Sequence, residues 1–170
     1  MKNAFEQLER DVAAGGLEQC GDLGLAIDRE GQWFYRGSPI HRPGMVKLFA
    51  SVLRRTSDGR YWLVTPGERG TIEVADVPFV AVAARIDGQG QDQRVELVTN
   101  LDERVTLGPE HGLRLGAQPD GSVAPYVAVR DGLEARLARP VYYELVEHAV
   151  EADGRIGLWS EGRFFALDAP

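Results

Sequence analysis

The chain has 170 residues, enough for one medium domain or two small ones sharing a core. Hydrophobic residues make up 44% and charged residues 26%, the balance of a folded globular protein, and no apolar run approaches the roughly 18 residues of a membrane-spanning helix. A net charge of −7 leaves no basic excess for a general nucleic-acid surface, and the single cysteine, Cys20, can form no intrachain disulfide.

Taken in order, the chain begins with a charged N-terminus that has none of the apolar core of a signal peptide, which with the lone cysteine points to the cytoplasm. Asn3 suits a helix N-cap, Glu6 closes a capping box, and Phe5, Leu8 and Val12 share one face. A helix is therefore predicted over residues 3–14, stopped by Gly15-Gly16. Strands are predicted at residues 23–27 and 32–36, joined by the turn Asp28-Arg29-Glu30-Gly31. Pro43 fits the first position of a helix. Met45, Leu48, Phe49, Val52 and Leu53 form an amphipathic stripe expected to be buried, and Arg54 and Arg55 suit the negative end of that helix dipole. Ser57-Asp58-Gly59 turns the chain out, and residues 61–65 and 71–74 read as a hairpin around residues 66–70.

An insertion follows, with strands predicted at residues 79–86 and 94–99 around Gly88-Gln89-Gly90-Gln91, and further short ones at 104–107 and 113–115. Then the first design returns. Tyr126-Val127-Ala128-Val129, the turn Asp131-Gly132, residues 133–137, Arg139-Pro140, a helix, Asp153-Gly154-Arg155 and strands at 156–160 and 163–167 repeat the earlier order. The expected buried stripe of the second helix, Tyr142, Leu145, Val146, Ala149 and Val150, is the first stripe displaced by 97 positions. The pattern predicts an α+β protein, mostly antiparallel sheet, in which a hairpin–helix–hairpin unit occurs twice. An N-terminal domain covers residues 1–77, with its repeat at 23–76. A larger C-terminal domain covers 78–170, with extra strands over 79–117 and its repeat at 125–168.

Several local motifs occur together: Pro39-Ile40-x-Arg42, Val46-x-Leu48-Phe49-Ala50-x-Val52-Leu53, Leu63-Val64-Thr65-Pro66-x-Glu68, Pro78-Phe79-Val80-Ala81, Ala124-Pro125-Tyr126 and Arg130-x-Gly132-Leu133-Glu134-Ala135. Over about residues 20–168 the chain resembles, in these motifs, the uncharacterised bacterial domain-of-unknown-function family number 1285. The resemblance implies a duplicated two-domain core whose C-terminal half is loosely like a pleckstrin-homology fold. It also implies a ligand site at the domain interface for a nucleotide-like molecule, and a role in signal transduction. It brings no catalytic residues.

The residues themselves leave alternatives. Arg42 and Arg139 stand at predicted helix starts, where free N–H groups and the dipole favour an anion. Each either binds a phosphate or carboxylate or pairs with an acid of its own sheet, such as Glu68 or Glu134. The segment from Thr65 to Gly70 is either a turn alone or a turn whose Thr65 and Glu68 touch a ligand; it lacks the Gly-Lys-Ser/Thr ending of a phosphate loop. Tyr126 either packs between layers or stacks on a base, and Tyr143, beside the core-facing Tyr142, is the tyrosine available to a cleft. His41, His111 and His148 share no ligand spacing, so no metal or other cofactor is expected. No nucleophile elbow is present, and Trp33, Trp62 and Trp159 read as core.

Three functions remain. The first is a regulatory protein holding a small anionic, nucleotide-like ligand between its halves. Arg42, Arg130 and Arg139 would neutralise the ligand, Tyr126 or Tyr143 would form a wall, and Thr65, Glu68 and Glu134 would orient it. The second is a protein-interaction module without a small ligand. The third is an enzyme using Glu68 or Glu134 as acid or base.

Overall fold

The computed structural model describes residues 21–65 and 68–169. The helix expected over residues 3–14, like Cys20, lies outside them. The chain divides between Pro78 and Phe79 into two compact units, each mixed α+β and mostly sheet.

In the N-terminal unit the chain runs β1 (Asp22–Ile27), β2 (Trp33–Tyr35), β3 (Ser38–Pro39), α1 (Pro43–Ser51), β4 (Leu53–Arg55), β5 (Tyr61–Val64) and β6 (Arg69–Val74). These strands form one sheet in the order β3-β2-β1-β6-β5-β4. All neighbours are antiparallel except β1 and β6, which run parallel and close the unit on itself. Side chains alternate across the strands, so Leu25 and Ile27 on β1, Tyr61 and Leu63 on β5 and Ile72 on β6 turn inward together.

Helix α1 is shorter than the stripe predicts, and it is turned. It ends at Ser51, and Leu53, Arg54 and Arg55 form β4 against β5 instead of a last helical turn. Leu53 is fully buried opposite Leu63 in that pairing. The helix itself buries Val46 and Ala50. Met45 and Leu48 are exposed and Phe49 and Val52 half-buried, so the expected stripe is largely not the core face. Phe49 reaches across to stack on buried Trp33, with ring centroids 6.0 Å apart.

The C-terminal unit comprises β7 (Phe79–Asp87), a 3-10 turn (Gly90–Asp92), β8 (Arg94–Thr99), β9 (Arg104–Thr106), β10 (Leu113–Ala117), β11 (Val123–Arg130), β12 (Leu133–Leu137), α2 (Arg139–Glu147), β13 (Val150–Ala152), β14 (Arg155–Ser160) and β15 (Arg163–Ala166). One sheet runs β10-β11-β12-β7-β8-β9, and β13-β14-β15 form a second. The only parallel pair among these described strands joins β12 to β7. Three tight two-residue hairpins join strands of this unit. Asp131-Gly132, Asp153-Gly154 and Glu161-Gly162 all have positive φ at both residues, as a two-residue hairpin with the strands' own twist requires.

The second stripe also fails as a core face. Leu145 is buried and Tyr142 half-buried, but Val146 and Val150 are exposed, and Val141 takes the second core position. The reason is helical phase. Buried positions lie three and seven residues after Pro43 in α1, but one and five after Pro140 in α2. A two-residue offset is about 200° around a helix, so the two copies present nearly opposite sides of the same pattern to their sheets. The small sheet is fastened to the large one through a serine: the Val95 N–H donates to Ser160 Oγ at 3.0 Å, and that hydroxyl donates to Leu107 O at 2.7 Å. Gln93 adds a bond from Nε2 to Trp159 O at 2.9 Å.

Candidate functional site

The N-terminal unit has a solvent-open hollow of about 250 Å³ at the C-terminal end of α1. Its walls are Leu23 and Leu25 from β1, Phe49 and Val52 from α1 and its end, Leu63 from β5, and the Gly70 backbone from β6. Leu23 and Leu25 share a face because strand side chains alternate, and Leu63 lies opposite Gly70 in the β5–β6 register. Gly70 leaves room for Leu23 in its present position: a Cβ there would stand 2.3 Å from Leu23 Cγ. Thr65, Glu68 and Arg69 complete the lining, and Thr65 and Glu68 are exposed at the mouth.

Two of the expected ligand residues therefore meet at one cavity. They are held by a local turn. Thr65 Oγ1 accepts from the Glu68 N–H and donates to Glu68 O, each at 3.1 Å, and the Thr65 N–H donates to Glu68 O at 2.8 Å. The Glu68 carboxylate has no partner among the described residues, whereas Arg69 is engaged. Arg42 is not at this cavity. It caps the opposite end of α1, where its backbone oxygen accepts from the Met45 and Val46 N–H groups, and its exposed side chain makes no cap bond. At about 1.5 Å of rise per residue it stands roughly 15 Å from Val52 along the helix.

The remaining expected residues lie in the C-terminal unit, and most are already committed. Arg130 donates to both carboxylate oxygens of Glu103, at 3.1 and 2.9 Å, and covers the Phe79 ring. Glu134 accepts two bonds of 2.7 Å from Arg114. The Arg114 guanidinium lies 4.3 Å from the centre of the Tyr126 ring, which is buried and whose hydroxyl accepts from Gln118 Nε2 at 2.6 Å. Tyr126 is thus a packed residue under an arginine rather than an open stacking surface. Gly116 makes this possible, since a Cβ there would meet that same ring at 2.8 Å. Arg139 is exposed in the first turn of α2 near Asp120. The Asp120 carboxyl is held below the usual range chiefly by the Ser122 hydroxyl, with the Ser122 N–H and the Arg139 charge adding to it. Tyr143 is exposed on α2, its ring 6.1 Å from that of Tyr142, and Tyr142 donates its hydroxyl to Leu167 O.

Sequence reasoning missed the partners Glu103 and Arg114 and the five side chains that wall the hollow. Among the described residues no group of three or more His, Cys, Asp or Glu side chains is placed to hold a metal ion. His111 Nδ1 donates to Ala128 O at 2.9 Å and His148 Nδ1 to Glu144 O at 3.0 Å. Among the described residues no helix is long and apolar enough to cross a membrane.

Comparison with known proteins gives a consistent picture. Residues 16–77 match the DUF1285 N-terminal domain, a domain of unknown function, and residues 78–167 match the DUF1285 C-terminal domain, described as a protein of unknown function. A crystal structure of a DUF1285 family protein from Silicibacter pomeroyi DSS-3 is 44% identical, with a TM-score of 0.82 over 86% of this chain and 80% of that one. A DUF1285 family protein from Shewanella baltica OS155 is 25% identical, with a TM-score of 0.58 over 74% of this chain and 91% of that one. D-alanine–D-alanine ligase A of Pseudomonas putida is 32% identical over 91 residues, which are 53% of this chain and only 25% of the ligase.

Proposed function

Since this chain belongs to the DUF1285 family, with that family's N- and C-terminal domains in order, we propose that it is a regulatory protein that binds a small molecule and signals its presence. The binding site in this reading is the hollow of the N-terminal unit. The observation that carries it is an apolar cavity open to solvent with hydrogen-bonding groups, Thr65 and Glu68, at its mouth. That is the usual make-up of a small-molecule site, apolar walls with a few polar groups that fix orientation. A nucleotide-like ligand would place its base against Phe49 and present a polar edge to Thr65 and Glu68. A ligand that prefers one arrangement of the unit over another shifts the population toward it, which is the physical basis of the signal.

A thermal-shift screen of nucleotides, nucleobases and small amphiphiles tests the reading. A ligand at a hundred times its Kd stabilises by about 2.7 kcal/mol, a clear rise in Tm. The expected outcome is such a rise in the parent protein, lost in Val52→Phe, which fills the hollow from its wall. No rise with any compound would end this reading. A second reading, a protein-docking module, is favoured by Leu48, 63% exposed beside the hollow. In that case Leu48→Glu would abolish capture of a partner while leaving every ligand shift intact.

A further inference from the structure

We propose that the hollow takes the apolar chain or ring of an amphiphile whose head group donates hydrogen bonds, an amine above all, to Glu68. This rests on the hollow being the binding site and goes on to name the chemistry of its ligand. Three observations carry it. First, five of the lining side chains are aliphatic or aromatic, and 250 Å³ is the volume of about eight waters, so a single ring or a short alkyl chain fits. Second, none of the three arginines expected to neutralise an anion is in the lining of the hollow. Arg42 caps the far end of α1, Arg130 is bound by Glu103, and Arg139 stands in the first turn of α2; Arg69, which does line the hollow, has an interaction of its own. Third, the charged group left at the mouth without a partner among the described residues is a carboxylate, Glu68, placed by the Thr65 turn.

The apolar surface also continues past the hollow. Phe49 and Val52 are walls, and Leu48 and Met45 follow them along the same side of α1, both exposed. A chain lying from the mouth along this row would cover the stripe that the helix does not use against its own sheet. The hydrophobic term therefore supplies affinity, and Glu68 chooses the head group.

Octylamine, octanol, octanoate and adenosine monophosphate form a sufficient probe set, read by calorimetry and by the fluorescence of Trp33, which stacks on the wall residue Phe49. The expected order is octylamine, then octanol, then octanoate, with at least a tenfold gap between the first and the last. Glu68→Gln should erase that gap while keeping octanol affinity, and Val52→Phe should abolish all three. If octylamine binding survives Val52→Phe, it reflects general attraction to an acidic protein and the proposal fails. If octanoate binds tightest, or Glu68→Gln leaves the order intact, the head-group assignment is wrong. If adenosine monophosphate binds in a Val52→Phe-sensitive way and no alkyl probe does, the amphiphile is excluded while the hollow remains the ligand site. If nothing binds, both readings fall.

Discussion

The two units carry the same elements and close them differently. Each has a hairpin, a helix and then a three-stranded meander, one strand more than the sequence pattern suggests, because β4 and β13 are hidden in the tails of the helical stripes. In the N-terminal unit the meander returns to its own hairpin through the parallel pair β1–β6. In the C-terminal unit the inserted strands take that place. The hairpin β11–β12 is flanked by β10 and β7, and the meander becomes a separate sheet held by Ser160. With opposite faces of the helices turned inward, one copy leaves an apolar hollow beside its helix. A repeated order of elements therefore does not carry a repeated core.

The largest effect that could break this contrast comes from two glycines. A Cβ on Gly157 would lie 2.2 Å from the Phe165 carbonyl oxygen, and one on Gly70 would lie 2.3 Å from Leu23 Cγ. The distances are alike, but the obstacles are not. The first is strand backbone paired across β14–β15, and the second is the end of a side chain that borders empty space. Gly157→Ala should cost about 3 kcal/mol or more, at the upper end for overpacking, and Gly70→Ala about 1 kcal/mol as Leu23 swings into the hollow. Urea denaturation of both variants checks this, and equal losses would mean the hollow offers no relief.

Next in size is the fastening of the small sheet. Ser160→Ala removes the acceptor of a buried N–H and the donor to a buried carbonyl. An unmet buried polar group costs about 1–3 kcal/mol, so a loss of about 2 kcal/mol is expected, with faster amide exchange at Val95. Unchanged protection there would show that β14 is held by packing and the remaining bonds, such as that from Gln93 to Trp159 O, without the serine.

The arginines sharpen the comparison on a smaller scale. Arg130 and Glu103 are both about a quarter to a third exposed and joined by two bonds, so Arg130→Ala should cost about 1 kcal/mol. Arg42→Ala, on an exposed side chain without a cap bond, should stay within about 0.5 kcal/mol. If the order were reversed, Arg42 would be doing structural duty that its surroundings give no reason for.

These cases also show what a sequence reading can reach. The tight turns were legible because a positive φ at residues such as Gly132 and Gly154 is a local demand with local chemistry. The helix faces were not, because Leu53 and Val150 satisfy a helical period and a strand period equally well, and only the partner strands β5 and β14 decide between them. Parallel closure is encoded by no single segment, so the two different endings of one pattern could not be foreseen. At the site, Thr65 and Glu68 were readable as a polar turn. The hollow beneath them was not, since Leu23, Phe49 and Leu63 become walls only when Gly70 lets the strands and helix leave space. Arg130 drew attention as a ligand group because its true partner, Glu103, is 27 residues away in the chain.

The smallest effect is a pH dependence confined to one turn. Residues 56–60 link β4 to β5, whereas Asp153-Gly154 alone link β13 to β14. In the longer turn the Asp58 carboxylate is lowered from its ordinary 3.8 to about 2, first by the Thr56 hydroxyl and then by Arg60, whose Nε donates to it at 2.8 Å. The folded value lies below the unfolded one. The turn's contribution is therefore complete above pH 3.8 and is lost as the pH falls through about 2. Thr56→Val should move the Asp58 midpoint upward, toward 3.8, as read from its carboxyl resonance, and should bring the acid loss of the β4–β5 hairpin to higher pH while leaving β13–β14 unchanged. An unmoved midpoint would assign the shift to Arg60, and Arg60→Gln would then produce the larger rise.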